Sequence, residues 1–227
     1  SLTGSTGITI NGGELTLVST NTVKDSTYYA MCSDSITIAD GLEVQASTDP
    51  DGTLVDYVAA DNNTYDRVEI KLPPIWVGGV KMYDGDYLAV GATATTNTQP
   101  SGGYAYYENG ELTLNNYSYE GKGYLYSSGG YYAVIYSKND LTLELIGNNT
   151  LNQTDLESDM IYVDGANLTV GGDGKLTGTS RGYVLYADKD ITINGGTIEL
   201  STYYAGIRCY GDVIINDGDI TAESEDG

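Results

Sequence analysis

The sequence predicts an all-β protein that folds as a right-handed parallel β-helix, a solenoid with three short strands in each coil of about 22–29 residues. Three observations lead to this prediction. A four-residue phrase with alternating apolar and polar residues recurs along the chain, glycine-rich corners follow it, and a tyrosine-rich segment completes the repeat. One such repeat cannot bury its own apolar edge, so neighbouring repeats are expected to stack around a shared core.

The recurring phrase marks the first strand of each coil. Its first residues are separated by 28, 29, 27, 23 and 22 residues, apart from one gap of 76. A period of two predicts a strand with one buried face, and a second alternating segment, such as KLTG at 175–178 or TIEL at 197–200, follows the phrase. The phrase occurs as ITIN at 8–11, ITIA at 36–39, LTLN at 112–115, LTLE at 141–144, LTVG at 168–171, ITIN at 191–194 and VIIN at 213–216.

Corners and tyrosine segments complete each coil. Pairs such as Gly171 and Gly172 or Gly195 and Gly196 lie between the first two strands, where a sharp corner needs a positive φ. The third strand is predicted in the tyrosine-rich segments YYA at 28–30, YYA at 131–133, YVLYA at 183–187 and YYA at 203–205. The uneven repeat lengths favour right-handed coils, because left-handed hexapeptide helices are more regular.

The phrase also predicts which side chains form ladders along the solenoid. Its outer apolar residues should point inward and its middle residue outward, with stacked strands about 4.8 Å apart. The exposed threonine ladder would consist of Thr9, Thr37, Thr113, Thr142, Thr169 and Thr192. The corner that follows carries Asn11, Asn115, Asn194 and Asn216, whose amides could hydrogen-bond from coil to coil.

One segment interrupts the repeats. From about Leu72 to Glu111 the chain contains Pro73, Pro74 and the single tryptophan, Trp76, and proline cannot donate to a central strand ladder. We therefore predict coils of a first repeat unit at 1–72 and a second unit at 73–227 with an irregular lead-in at 73–111. Trp76 is expected to plug or cap the core at the boundary. Both ends of the chain resemble interior coils, which predicts a longer repeat protein or end-to-end stacking.

Charge restricts the partners. The chain carries 10 Lys and Arg against 32 Asp and Glu, a net charge of -22, which repels phosphate backbones and anionic membrane surfaces. Nucleic acid is therefore excluded as a partner. No run approaches the roughly 18 apolar residues of a membrane span, so membrane insertion is not expected either. Such a surface attracts cations, calcium among them, and tolerates uncharged polymers.

Several segments are similar to one family. LTLNNYSYEGKG at 112–123, YYAVIYSKNDLTLELIGNNTL at 131–151 and DITINGGTIEL at 190–200 resemble repeats of bacterial surface proteins described as carbohydrate-binding-domain-containing β-helix proteins, within the pectate-lyase-like superfamily. IWVGGVKMYDGDYL at 75–88 resembles the lead-in of such modules. The resemblance covers most of 73–227 and, more faintly, 1–72. It implies a parallel β-helix, a glycan ligand and a location outside the cell or on the bacterial surface.

Catalysis is not expected. The chain has no histidine, which excludes Ser/His/Asp, Cys/His and histidine-ligated metal sites. Carboxylate-pair hydrolysis would need Asp188 with Asp190, or Asp217 with Asp219. The phrases typical of polygalacturonases are absent, and Arg181, Lys189 and Arg208, the basic residues that a lyase of this superfamily would use, lie outside any lyase motif. A polysaccharide lyase remains a distant alternative.

Calcium is a stronger candidate than catalysis. DPDG at 49–52, DGD at 84–86, DKD at 188–190 and DGD at 217–219 each place two carboxylates close together on a polar turn, where backbone carbonyls can add oxygen ligands. The candidate metal ligands are Asp188, Asp190, Asp217 and Asp219. None of these segments completes an EF-hand loop, and ordinary acidic turns are the alternative interpretation.

The aromatic composition suggests a binding face. The chain has 22 Tyr, one Trp and no Phe, so nearly every ring carries a hydroxyl that tolerates water. The candidate ligand-binding residues are Tyr131, Tyr132, Tyr183, Tyr186, Tyr203 and Tyr204. We predict a non-catalytic extracellular module that binds polysaccharides or host and matrix glycans through these rings, with possible assistance from Ca²⁺. Strand alternation could instead turn half of the rings inward, and a structural stalk or self-assembling fibre is the alternative function.

The two cysteines are predicted to be unpaired. Cys32 and Cys209 lie several coils apart in sequence, and coils spaced by about 4.8 Å would separate them beyond the roughly 7 Å between Cα atoms that a disulfide allows. Both are expected to be buried as small apolar side chains.

Overall fold

The computed structural model describes residues 2–3, 8–10, 15–20, 29–33, 35–38 and 42–224, and this part of the chain is all-β apart from one 3-10 helix. Parallel coils stack into a β-solenoid, so the predicted fold class is confirmed. The chain divides into two compact units, Ser1–Pro73 and Pro74–Gly227.

The first unit combines parallel and antiparallel pairs. Its elements are β1 (Leu2–Thr3), β2 (Ile8–Ile10), β3 (Leu15–Val18), β4 (Met31–Cys32), β5 (Ile36–Ile38), β6 (Glu43–Ser47), β7 (Val55–Asp56), the 3-10 helix Ala59–Thr64 and β8 (Arg67–Lys71). The recurring phrases behave as predicted, because β2 and β5 pair in parallel with Thr9 opposite Thr37. The rest of the unit differs, since β3, β8, β6 and β7 form an antiparallel sheet.

The hairpin of β6 and β7 in the first unit has a local cause at the DPDG segment. The Asp49 carboxylate accepts a hydrogen bond from the Asp51 N–H at 2.9 Å, and the Gly52 N–H donates to the Asp49 carbonyl at 3.1 Å. These bonds close a turn that folds β7 back onto β6. This acidic segment, one of the four considered for calcium, therefore forms the turn of a hairpin.

The second unit contains the longer solenoid. Its strands are β9 (Ile75–Val77), β10 (Val80–Met82), β11 (Asp86–Ala89), β12 (Tyr104–Glu108), β13 (Glu111–Asn115), β14 (Ser118–Gly121), β15 (Tyr124–Ser127), β16 (Tyr131–Ser137), β17 (Leu141–Ile146), β18 (Asn148–Gln153), β19 (Asp159–Val163), β20 (Leu168–Gly172), β21 (Lys175–Ser180), β22 (Leu185–Ala187), β23 (Ile191–Thr202), β24 (Ile207–Cys209) and β25 (Val213–Ser224).

Three parallel columns run through the second unit, as predicted. One column is β16, β19, β22 and β24, and we call the sheet that contains it the tyrosine sheet. The other two columns start with β13 and β17 and with β14 and β18. In β23 and β25 these two strands merge across the corner into single strands of 12 residues.

The core lies between the columns. Leu141, Leu168 and Ile191 are register partners with relative exposures of 0–1 %. Full burial of each such side chain stabilises the fold by about 1.5–3 kcal/mol. The stacked apolar layers therefore hold the coils together, and the polar alternating residues remain on the outside.

The predicted ladders are shorter than the sequence suggested. Thr142, Thr169 and Thr192 are successive register partners, but Thr113 lies opposite Glu144. Leu112 pairs with Leu143, two residues beyond the alignment of the phrases, and a shift of two residues keeps the same side chains facing the core. In the asparagine column, the Asn216 amide donates to the Asn194 amide oxygen at 2.8 Å. Asn115 is instead opposite Ile146, and Asn11 lies outside the described residues.

The lead-in forms the antiparallel beginning of the second unit. β9 and β10 form a hairpin, β9 lies antiparallel to β16, and β11, β12 and β13 are antiparallel neighbours. Ile75 and Val77 point into the core, so the half-buried Trp76 points to the opposite side of its strand. The expectation that Trp76 plugs the core is therefore wrong, and its ring stacks on Tyr124 at 4.2 Å between centroids.

Cys209 has a free thiol, as predicted. Its side chain is only half-buried against the core, contrary to the expectation of full burial, and the thiol donates to the Gly211 carbonyl at 3.3 Å. The Cys32 side chain lies outside the described residues.

Candidate binding site

The outward side of the tyrosine sheet carries a row of aromatic residues. Ile135, Ile161 and Leu185 are register partners that point into the core. The next residue of each strand points the other way, and these residues are Tyr136, Tyr162 and Tyr186, which are register partners too. Trp76 and Arg208 extend the row at its two ends.

A second layer of rings lies over this row. The β15–β16 hairpin places Tyr124 and Tyr126 against Tyr136, at ring-centroid distances of 5.2 and 5.6 Å. Tyr136 is therefore only 2 % exposed although it points away from the core. We call the outward side of the tyrosine sheet, together with the rings of β15, the tyrosine face.

Carboxylates hold the rings of the tyrosine face in place. The hydroxyl of Tyr136 donates to Asp164 at 2.7 Å, and that of Tyr162 donates to Asp188 at 3.1 Å. Burial raises the pKa of both hydroxyls far above the ordinary value, and the neighbouring carboxylates raise each pKa further. Rings fixed by both stacking and hydrogen bonding have little freedom to lose when a ligand binds.

An open cavity of about 320 Å³ lies on the tyrosine face, and we call it the tyrosine pocket. Its volume is at the lower end of the range typical of small-ligand sites, about 300–1,000 Å³. Four of its rings, those of Tyr131, Tyr183, Tyr186 and Tyr204, are among the six predicted binding residues. The full lining is Tyr126, Tyr131, Glu157, Asp159, Gly182, Tyr183, Tyr186 and Tyr204.

Asp159 is the buried polar group of the pocket. It is 4 % exposed, and its two carboxylate oxygens accept hydrogen bonds from the Tyr126 hydroxyl at 2.8 Å and the Tyr183 N–H at 2.9 Å. Burial raises the pKa of Asp159, while these two hydrogen bonds and the charge of Arg208 oppose the rise. The carboxylate therefore joins β19 to two pocket tyrosines.

Glycine is required at position 182 beside this carboxylate. A Cβ atom there would lie 2.6 Å from the Ser158 carbonyl oxygen and 2.8 Å from a carboxylate oxygen of Asp159. Both distances are shorter than side chains tolerate, so Gly182 allows the backbone to approach the pocket floor closely.

Arg208 lies against the aromatic rings next to the pocket. Its guanidinium carbon is 4.7 Å from the ring centroid of Tyr183 and 5.4 Å from that of Tyr210, and it donates a hydrogen bond to the Tyr183 hydroxyl. Both rings offer their faces to a cation, which is a favourable arrangement. The pKa of the exposed Tyr210 hydroxyl is lowered, first by a hydrogen bond with Tyr186 and second by a hydrogen bond with Arg208.

The other two predicted tyrosines lie outside the pocket. The ring of Tyr132 lies under Lys122, whose Nζ is 5.2 Å from the ring centroid. Tyr203 lines a separate depression of about 240 Å³ with Arg181 and Thr202, although its ring still touches Tyr204, at 5.3 Å between centroids.

The four candidate metal ligands occupy different places. Asp188 accepts hydrogen bonds from the Tyr162 hydroxyl and the Gly165 N–H, and Asp190 accepts one from the Asp212 N–H at 2.8 Å. Asp217 closes a local turn onto the Gly218 N–H, and Asp219 is an exposed residue of β25. Within the described part of the chain, no three His, Cys, Asp or Glu residues are grouped closely enough to hold a metal ion. Calcium binding stays a prediction.

Sequence reasoning missed four residues of the pocket, Tyr126, Glu157, Asp159 and Gly182. Tyr126 had a detectable signal, because SSGG at 127–130 between two tyrosine-rich segments is a hairpin pattern. Glu157 and Asp159 had no such signal, because they belong to no motif. Glu157 lies on the segment between β18 and β19, and Asp159 is the first residue of β19.

Comparison with known proteins gives no match. No protein-family model, no curated protein and no solved structure matches the chain. A search of the described residues for a helix long and apolar enough to cross a membrane finds none.

Proposed function

We propose that the protein is a non-catalytic binding module that recognises glycans in the tyrosine pocket, outside the cell or on the bacterial surface. One observation carries the proposal: five tyrosine rings, two of them about half-exposed, surround an open cavity that also contains carboxylates. The resemblance of the repeats to carbohydrate-binding β-helix proteins supports the same ligand class and location.

Sugars suit this cavity for two physical reasons. The C–H faces of a sugar pack against aromatic rings, and Tyr131 and Tyr204 are 40 and 48 % exposed on the cavity wall. Sugar hydroxyls also need partners once they leave water, and the tyrosine hydroxyls and the Glu157 carboxylate supply them. Because the hydrogen bond to Asp159 already fixes the Tyr126 ring of the wall, little ordering entropy of this ring opposes binding.

The proposal assigns no catalytic step to the pocket carboxylates. Asp159 already accepts two hydrogen bonds from the protein, and the chain has no histidine to act as a base. Calcium enters the proposal only as an assisting cation at the acidic turns, including those of Asp188, Asp190, Asp217 and Asp219.

A glycan array probed with and without added calcium, and again with a chelator, tests the proposal. We expect saturable binding to a restricted set of glycans, and a change on chelation if calcium assists. Uniform lack of binding to uncharged, acidic and amino glycans alike would contradict a glycan-binding function.

A second candidate function is favoured by the outer edge of β25. Val213 and Ile215 are register partners of the fully buried Ile191 and Ile193, yet they are 47 and 55 % exposed. A further coil stacked on this edge, whether it follows in the same protein or belongs to a second copy, would bury both side chains. The stalk or fibre function requires that a second copy supplies that coil.

Sedimentation over a wide range of protein concentrations tests self-association. Growing assemblies that Ile215→Asp abolishes would support the stalk or fibre. A monomer at every concentration would exclude this edge as a self-association surface.

A further inference from the structure

The tyrosine pocket combines aromatic walls with acidic groups, which is the composition that holds a cation. Glu157 and Asp159 lie among the rings of Tyr126, Tyr131, Tyr183, Tyr186 and Tyr204. An aromatic ring attracts a cation through its negative face, and a carboxylate attracts it directly. A neutral sugar would use the rings but would leave the charge of Glu157 without a counterpart in the ligand.

The protein shows the same preference in its own contacts. Arg208 lies over the ring of Tyr183, Lys122 over Tyr132, and Lys81 over Tyr83 at 4.8 Å. Of these three rings, that of Tyr183 also lines the pocket. Arg208 thus already occupies the ring of Tyr183, and its charge acts on Asp159, which leaves the rings of Tyr131 and Tyr204 and the carboxylate of Glu157 for a ligand cation.

The whole chain adds an attractive field. The net charge of -22 raises the local concentration of cationic ligands and repels uronic and other acidic sugars. A ligand must therefore offer apolar C–H faces for the rings together with a positive charge for the carboxylates.

From this combination we infer that the tyrosine pocket selects glycans with protonated amino groups, such as oligomers of glucosamine. The inference rests on the proposed glycan-binding function and narrows its ligand class. The C–H face of the amino sugar packs on Tyr204 or Tyr131, and its ammonium group lies against Glu157.

Calorimetric titration with two short oligomers of equal length tests the inference. One is made of glucosamine and the other of N-acetylglucosamine, at a mildly acidic pH where the free amines are protonated. The acetylated oligomer has the same ring faces but no charge. We expect the amino oligomer to bind at least about threefold more tightly, the lower range of one exposed cation–π or ion-pair contact.

Two matched variants separate the pocket from the overall charge. Glu157→Gln removes a carboxylate at the pocket, and Glu120→Gln removes an exposed carboxylate of β14 outside it. Both change the net charge equally. We expect Glu157→Gln to weaken the binding of the amino oligomer about threefold or more, and Glu120→Gln to leave it unchanged. Neither variant should change the affinity for the acetylated oligomer.

Three outcomes would overturn the inference. Equal or tighter binding of the acetylated oligomer would show that the pocket does not select charge, and it would leave the proposed function intact. Equal losses of affinity in the two variants would show that the overall charge of the protein, and not the pocket, attracts the amino oligomer. Absence of binding by both oligomers, with other glycans bound on the array, would refute the amino-sugar class alone, whereas a blank array would refute the proposed function.

Discussion

At the scale of single residues, the pocket depends on small side chains as well as on aromatic ones. Asp159 fixes Tyr126 and the backbone of Tyr183, and Gly182 lets the chain pass close to that carboxylate. The rings can present a fixed surface only while this buried contact stays in place.

Gly182→Ala is expected to disturb the contact. The added methyl group would meet the backbone oxygen of Ser158 at 2.6 Å, and backbone cannot move aside cheaply. We expect the free energy of unfolding to fall by about 1–3 kcal/mol, together with weaker glycan binding. Chemical denaturation measures the first effect. Gly102→Ala is the control, because a Cβ there meets no atom within 4 Å, and equal losses in both variants would contradict the account.

At the scale of strands and ladders, hydrogen bonds between coils decide the register. Asn149 is 1 % exposed, its amide oxygen accepts from the Tyr117 N–H at 2.8 Å, and its amide nitrogen donates to the Ile146 and Lys175 carbonyls at 3.2 Å each. One side chain therefore satisfies buried backbone groups of three successive coils.

Asn149→Leu would leave the buried Tyr117 N–H without its partner, whereas the Ile146 carbonyl would keep the hydrogen bond from the Asn116 N–H at 3.0 Å. An unsatisfied buried group costs about 1–3 kcal/mol, so we expect a loss of about 1–3 kcal/mol in the free energy of unfolding. Asn148→Ala, which changes the exposed neighbour, is expected to cost less than about 0.5 kcal/mol. If thermal or chemical denaturation finds Asn149→Leu as mild as Asn148→Ala, the hydrogen bonds do not hold the coils.

The stacked tyrosines predict a loss of stability at alkaline pH. Burial raises the pKa of Tyr136 and Tyr162 above the ordinary value of 10.0. Above about pH 10 the unfolded chain loses these protons while the folded chain keeps them, so stability is complete below that pH and falls as the pH rises. Each such group contributes a slope of up to about 1.4 kcal/mol per pH unit. Urea denaturation at several pH values should give a shallower fall for Tyr136→Phe, and an unchanged slope would contradict the burial of this hydroxyl.

The sequence predicted the alignment of the ladders only where successive coils have corners of the same length. Thr142, Thr169 and Thr192 align as expected because the coils between them contain no insertion. Thr113 does not, since its strand is shifted by two residues, and a shift of two leaves the alternation unchanged. The β15–β16 hairpin, which brings Tyr126 to the pocket, was not predicted either.

At the scale of the whole molecule, the solenoid converts a sequence repeat into a continuous surface. Tyr136, Tyr162 and Tyr186 lie one coil apart on the same side of the sheet, because they are register partners in successive coils. A stacked repeat is expected to align equivalent side chains in this way. Four of the six predicted residues, Tyr131, Tyr183, Tyr186 and Tyr204, line one cavity, and their role in binding stays a prediction. Tyr131 and Tyr132 are adjacent residues of one strand, so their side chains point to opposite sides, whereas Tyr203 and Tyr204 lie in the bend that follows β23.

Two adjacent tyrosines offer the most direct test of the central claim that the tyrosine pocket binds glycans. Tyr203 and Tyr204 are 43 and 48 % exposed, but only Tyr204 lines the pocket. For the tightest glycan found on the array, we expect Tyr204→Ala to raise the Kd about tenfold, which corresponds to about 1.4 kcal/mol, and Tyr203→Ala to change it less than about twofold. Both variants should unfold within about 1 kcal/mol of the parent protein. Equal affinities of Tyr204→Ala and the parent protein would contradict a role of the pocket in glycan binding.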